Sequence, residues 1–173
     1  MNDKNENKEL IDTLAIALKL EEEGKALFIQ AASDTKSKLA KQTFEFLAKE
    51  EDKHVANIKL FYETLIDGDM SQLPDLEKSN ADEKLETFNI MLESLREDFK
   101  PTATDIEAYH MALKFENGAE EFYEEQLQRA VDPKIIKFYQ WLETEETMHS
   151  RLINSCLKFV EDPTEWFKAR KKS

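Results

Sequence analysis

The sequence predicts an all-α protein: a four-helix bundle of two equivalent helical hairpins, joined by a long crossover and closed by a short C-terminal helix. Three observations carry this. Only three Gly and four Pro occur in 173 residues, which leaves few turn signals in a chain rich in helix formers. Apolar residues recur at helical spacing and nowhere alternate as in a strand. The chain also matches itself at an offset of 95 residues, without a gap across either hairpin. Its length suits one domain over 1–173, large enough to bury a core.

The polar stretch 1–8 is expected to be flexible. Ile11, Leu14, Leu18, Phe28 and Ala31 then mark a helix from about 9 to 32, broken by Ser33 to Ser37. Leu39, Phe44, Leu47, Val55, Ile58, Phe61 and Leu65 mark a second helix to about 66, where Asp67-Gly68 supplies a stop. Residues 67–104 form the crossover. Leu73-Pro74 reads as loop, and Asn80 with Glu83 reads as the cap of a helix over 81–97, which at roughly 25 Å spans the length of a bundle. Thr104 with Glu107 forms a capping box for the third bundle helix, to about 130. Val131-Asp132-Pro133 is the second turn, and Pro133 opens the fourth helix, to about 160. Over 162–173, Asp162-Pro163 caps a short helix bearing Trp166 and Phe167. The basic tail Lys168, Arg170, Lys171 and Lys172 complements that helix's dipole.

The repeat also carries the chemistry. It pairs Glu21 with Glu116, Gly24 with Ala119, Phe28 with Tyr123, Phe44 with Tyr139, Glu50 with Glu145, Glu51 with Glu146 and His54 with His149. Each Glu-x-x-His pair projects from one helical face. The midpoint of Glu21 and Glu51 falls in the first turn and that of Glu116 and Glu146 in the second. Each lone Glu therefore faces its Glu-x-x-His partner at equal height in an antiparallel hairpin. Glu21 shares its stripe with Leu14, Leu18 and Phe28, and Glu51 with Phe44, Leu47 and Ile58, so all six groups point into the apolar core. Four uncompensated buried carboxylates would cost several kcal/mol each, whereas two divalent ions balance them.

Glu21, Glu51, His54, Glu116, Glu146 and His149 are thus the predicted ligands of a two-metal site. Carboxylate and imidazole without thiolate favour iron or manganese, with zinc allowed by ligand type. Gly24 and Ala119 are expected to leave room beside the ions. Tyr123 can hydrogen-bond a ligand carboxylate or relay an electron, which Phe28 cannot do through a hydroxyl. Glu22, Glu23, Glu50, Glu120 and Glu145 are expected to be solvated, Glu50 and Glu145 being placed to support the ligands. Glu107 and His110 repeat the spacing as a decoy, about 180° and 120° from Glu116 around the helix, so His110 belongs to the surface.

The charge of −13 excludes a nucleic-acid surface. Cys156 is alone, which excludes a disulfide framework and makes a buried, inert thiol the expectation. No segment has the length of a membrane span and residues 1–9 lack an apolar leader core, so the cytoplasm is the expected compartment.

The segments Ala17-Leu-Lys-Leu-Glu21-Glu-Glu-Gly24, Phe46-Leu-Ala-Lys-Glu-Glu51-Asp-Lys-His54, Ala112-Leu-Lys-Phe-Glu116 and Trp141-Leu-Glu-Thr-Glu-Glu146-Thr-Met-His149 resemble the rubrerythrin-type proteins of the ferritin-like superfamily. The resemblance covers about 9 to 160. It implies a ferritin-like bundle, commonly a homodimer, with two iron ions per chain that react with hydrogen peroxide or dioxygen. Two departures stand out. One Cys cannot build the rubredoxin module of full-length rubrerythrins, so a separate donor protein such as a rubredoxin is implied. Leu113 and Ala119 flank Glu116 where the family carries a further carboxylate, which brings the site nearer a symmetrical bacterioferritin-like or manganese-catalase-like centre. Peroxide reduction is the leading expectation, and ferroxidase, iron storage or iron handling the alternative.

Overall fold

Residues 3–67, 80–94 and 102–171 are described by the computed structural model. Among them are six helices and no strand: α1 (Asp3–Asp34), α2 (Lys38–Asp67), α3 (Ala81–Glu93), α4 (Ala103–Arg129), α5 (Pro133–Glu161) and α6 (Pro163–Arg170). None of them is long and apolar enough to cross a membrane. The helices α1 with α2 and α4 with α5 form the two hairpins, α3 lies along α5, and α6 folds back on the end of α5.

α1 opens at Asp3 rather than near residue 9, so most of the stretch expected to be flexible is helical. No Gly or Pro occurs in residues 1–9 to stop the helix from starting there. The capping box of α4 also lies two residues earlier than expected. Thr102, not Thr104, is the cap: its hydroxyl accepts from the Asp105 backbone N–H at 3.2 Å, and the Asp105 carboxylate accepts from the Thr102 N–H at 3.1 Å. A tertiary contact selects this register, because Thr35 of the first turn also donates to Asp105. Burial raises the Asp105 pKa, but the hydrogen bonds from Thr35 and Thr102 outweigh it and hold the carboxyl below its usual range.

Asn80 does occupy the cap of α3, but its side chain makes no capping hydrogen bond. The Leu73-Pro74 loop and positions 95–97 of the expected α3 lie outside the described residues. Asp132 caps α5 through the Lys134 N–H at 2.7 Å, with Pro133 in the first turn, and Asp162 caps α6 through the Glu165 N–H at 3.0 Å. Arg170 is more than a dipole charge. Its guanidinium donates to Glu93 at 2.7 Å and to Glu86 at 3.0 Å, clasping α6 to α3, while lying 5.8 Å from the centre of the Trp166 ring. Lys172 lies outside the described residues.

Two apolar clusters fill the bundle. One holds Phe28, Leu39, Phe44, Leu47, Tyr109, Leu152, Cys156 and Phe159, at the end that contains the first turn. The other holds Leu14, Ala17, Ile58, Phe61, Tyr123, Phe138, Tyr139 and Leu142, at the end that contains the second. The turns therefore sit at opposite ends, as a two-fold relation between hairpins requires. Between the clusters, α1, α2, α4 and α5 each contribute to one polar layer.

Candidate metal centre

All six predicted ligands occupy that layer, and none is more than 1% exposed. Helical periodicity puts them there: each lies on the stripe that its helix buries, flanked above and below by apolar residues. The two imidazoles are near-parallel, 18° apart in plane with centroids 5.2 Å apart. His54 Nδ1 lies 2.9 Å from Glu21 Oε2, 3.0 Å from Glu146 Oε1 and 3.6 Å from Glu51 Oε2. His149 Nδ1 lies 3.2 Å from Glu51 Oε1, 3.4 Å from Glu116 Oε1 and 3.5 Å from Glu146 Oε2.

Glu51 and Glu146 thus each turn one oxygen towards each histidine, whereas Glu21 and Glu116 each serve one. Two overlapping sets result, Glu21-Glu51-His54-Glu146 and Glu51-Glu116-Glu146-His149, each with its ligand atoms within 4.8 Å of one another. Several of these atoms are buried without a hydrogen-bond partner: Glu51 Oε1, both oxygens of Glu116, Glu146 Oε1 and His149 Nδ1. Orphaned donor atoms at such spacing are costly unless a cation completes them. The residues present therefore fit divalent metal, in two overlapping ligand sets that have Glu51 and Glu146 in common.

The protonation pattern fits as well. Burial, with Glu146 and Glu51 close by, pushes Glu21 and Glu116 well above the carboxylate range. Burial also opposes charge on the other four groups, but their mutual contacts win. Glu51 is held down to about 2, Glu146 falls well below its usual value, and both histidines rise well above 6.5. Without metal, burial thus favours the protonated form of Glu21 and Glu116, while contact with the carboxylates favours the charged form of both histidines. Metal binding needs deprotonated carboxylates and imidazoles, so it would displace protons from these groups.

Tyr123 donates its hydroxyl to Glu21 Oε1, across the bundle from α4 to α1. His110 stays outside, on the surface, 3.2 Å from Glu161. Cys156 is buried, and burial pushes its thiol up to about 12.

Two expectations need correction. Gly24 does not leave open space: a Cβ there would lie 2.7 Å from the Phe115 ring and 3.5 Å from the Glu51 carboxyl carbon, so Phe115 occupies the gap. Glu50 and Glu145 are not solvated, being 4% and 3% exposed. Lys84 of α3 donates to both, at 2.6 and 2.8 Å. Burial pushes Glu50 up, but its bonds from Lys53 and Lys84 hold it below its usual range.

Sequence reasoning missed Lys84, which lies outside the repeat. A signal existed: Lys84 shares one helical stripe with Phe88, Met91 and Leu92, the face that α3 turns to the bundle. It also missed Trp141 as a neighbour of a ligand: its ring stands edge-on to His54, with centroids 5.3 Å apart.

Among comparisons with known proteins, the family model described as Rubrerythrin matches residues 12–157 and so spans the whole ligand layer. No curated protein and no solved structure matches.

Proposed function

The chain belongs to the rubrerythrin family, and on that premise we propose that it is a non-haem di-iron oxidoreductase reducing hydrogen peroxide, or dioxygen, with electrons from a separate donor protein. The observation that carries the reading is the sharing of Glu51 and Glu146 between two ligand sets. Two ferrous ions would supply the two electrons that hydrogen peroxide takes up, with two protons, to become two molecules of water. Glu51 and Glu146, members of both ligand sets, would hold both ions. Glu21 with His54, and Glu116 with His149, would each complete one of the two sets. Six protein groups would leave iron able to take up an oxidant, since iron accepts up to six ligands per ion. The surrounding apolar clusters keep the layer dry, and Tyr123 orients Glu21 through its hydroxyl.

The test is peroxide-driven oxidation of the ferrous-loaded protein, followed by the appearance of ferric absorption. The parent chain is expected to oxidise rapidly, and the Glu51→Ala/Glu146→Ala double variant to lose both the second ion and the reaction. Parent-like oxidation in a folded double variant would sink the reading.

One observation favours a second reading. Ala119, buried one turn beyond Glu116, stands where a further carboxylate would make the ligand set unequal. The even set of six suits iron oxidation and handling. Native mass measurement separates the two, because storage demands a large shell whereas a peroxidase functions as a small oligomer.

A further inference from the structure

Beside the ligand layer lies a second buried charge cluster, built from Lys84, Glu50 and Glu145. Lys84 Nζ is 2.6 Å from Glu50 Oε2 and 2.8 Å from Glu145 Oε2, and all three side chains are at most 17% exposed. Glu50 and Glu145 are matched positions of the repeat, and each immediately precedes a shared ligand, Glu51 or Glu146. A single ammonium gripping both at nearly equal distance sits close to the axis that relates the hairpins. The crossover, present once, places it there. Phe88 of α3 packs on Phe46 of α2 at 4.8 Å, while Asp82 and Asn89 bond Arg151 and Ser155 of α5 at 3.0 and 2.7 Å.

The position of Glu145 gives this grip a consequence. One of its carboxylate oxygens and one ring nitrogen from each of His54 and His149 lie within 4.8 Å of one another. The His54 and His149 Nε2 atoms are buried without hydrogen-bond partners. By composition this is a third metal-binding group, yet the Lys84 ammonium already supplies its positive charge, and a divalent ion beside it would be repelled. Glu145 is thus a carboxylate within reach of both imidazoles that Lys84 holds in a salt bridge instead.

We propose that Lys84 is a positioning residue of the metal centre: it ties Glu50 and Glu145 together across the α2/α5 seam and so keeps Glu145 out of the ligand set, which stays at six. The proposal rests on the di-iron reading. Without Lys84, two buried carboxylates lose a shared counter-charge, and the cheapest replacement cation is a metal ion. Glu145 then turns inward and the centre gains a seventh protein ligand.

The test uses the full chain loaded with ferrous iron and then oxidised, with metal content, metal affinity and the ferric absorption and Mössbauer spectra as readouts. Lys84→Met is expected to keep its helical content, to bind the ions more tightly, because a nearby positive charge is lost and Glu145 adds an anionic ligand, and to give an altered spectrum. Adding Glu145→Gln to that variant is expected to restore the parent spectrum, because the amide cannot serve as an anionic ligand. Asp82→Asn loosens α3 without touching the cluster and should leave the spectrum unchanged. If Lys84→Met does not fold, Lys84→Leu, likewise neutral and unable to hydrogen-bond either carboxylate, is expected to show the same spectral change. A folded Lys84 variant with parent affinity and parent spectrum overturns the proposal, as does an Asp82→Asn variant that reproduces the change. A parent chain that takes up no iron overturns the di-iron reading itself, and the role of Lys84 with it.

Discussion

Thr43 and Phe138 are matched positions of the repeat, as are Phe61 and Cys156, yet the two ends of the bundle use them differently. At one end Phe61 stacks on Phe138 with centroids 4.0 Å apart, sealing the ligand layer with aromatic carbon. At the other, the Tyr109 hydroxyl donates to Thr43 Oγ1 at 3.3 Å, and Thr43 lies 3.7 Å from the Cys156 sulfur. One backbone plan thus supports a dry seal and a small hydrogen-bonded one, provided each polar atom finds a partner. The ligand layer differs between halves in the same way. Glu21 receives the Tyr123 hydroxyl, whereas both Glu116 oxygens lack a hydrogen-bond partner and the matched Phe28 has no hydroxyl to offer. Trp141 stands against His54, but its counterpart Phe46 turns to Phe88 of the crossover. Symmetry holds for the ligands and fails around them.

The largest expected effect lies in the layer that both halves share. Each bound ion should stabilise the fold by about 3–4 kcal/mol when its free concentration is a hundred to a thousand times Kd. The pH dependence follows from the protons that the metal displaces. In the metal-free chain, Glu21 and Glu116 have raised folded values, so their contribution falls as pH rises from 4.5 through those values. The histidines, also raised, lose theirs as pH rises above 6.5. Glu51 and Glu146 act in the opposite sense and cost stability only as pH falls below 4.5. Melting curves with chelator and with ferrous iron should therefore diverge increasingly as pH rises above 4.5, and further above 6.5. Parallel curves would mean that no protons leave these groups on loading.

The ends come next. Phe138→Ala opens a cavity under the aromatic seal and should cost about 3–5 kcal/mol. At the matched position, Thr43→Val keeps the volume but leaves the buried Tyr109 hydroxyl without its acceptor, at a cost of about 1–3 kcal/mol. Denaturant titrations measure both, and equal losses would erase the distinction between the ends. Smallest is the cost of removing the asymmetry beside the ligands. Tyr123→Phe deletes one hydrogen bond, about 1 kcal/mol in stability, and should bring the affinities of the two metal positions closer together. A stepwise metal titration whose two constants do not converge would show that Tyr123 does not distinguish them.

The sequence by itself determined the helices, their pairing and which six carboxylate and imidazole residues share one layer. Helical period and equidistance from a turn are local rules, and the repeat applies them twice in register, so Glu21, Glu51, His54, Glu116, Glu146 and His149 could converge in only one layer. The tertiary structure alone decided what surrounds them. The register of the α4 cap depends on Thr35 from another turn, the gap at Gly24 is filled by Phe115 from another helix, and Glu21 is bound by Tyr123 from across the bundle. Burial of Glu50 and Glu145, which look like solvated glutamates in an acidic chain, depends on Lys84 arriving from the crossover. Periodicity fixes which face of a helix a residue occupies. It does not fix which residue of a single-copy, non-repeating segment meets that face, because that choice is made by packing between elements distant in sequence.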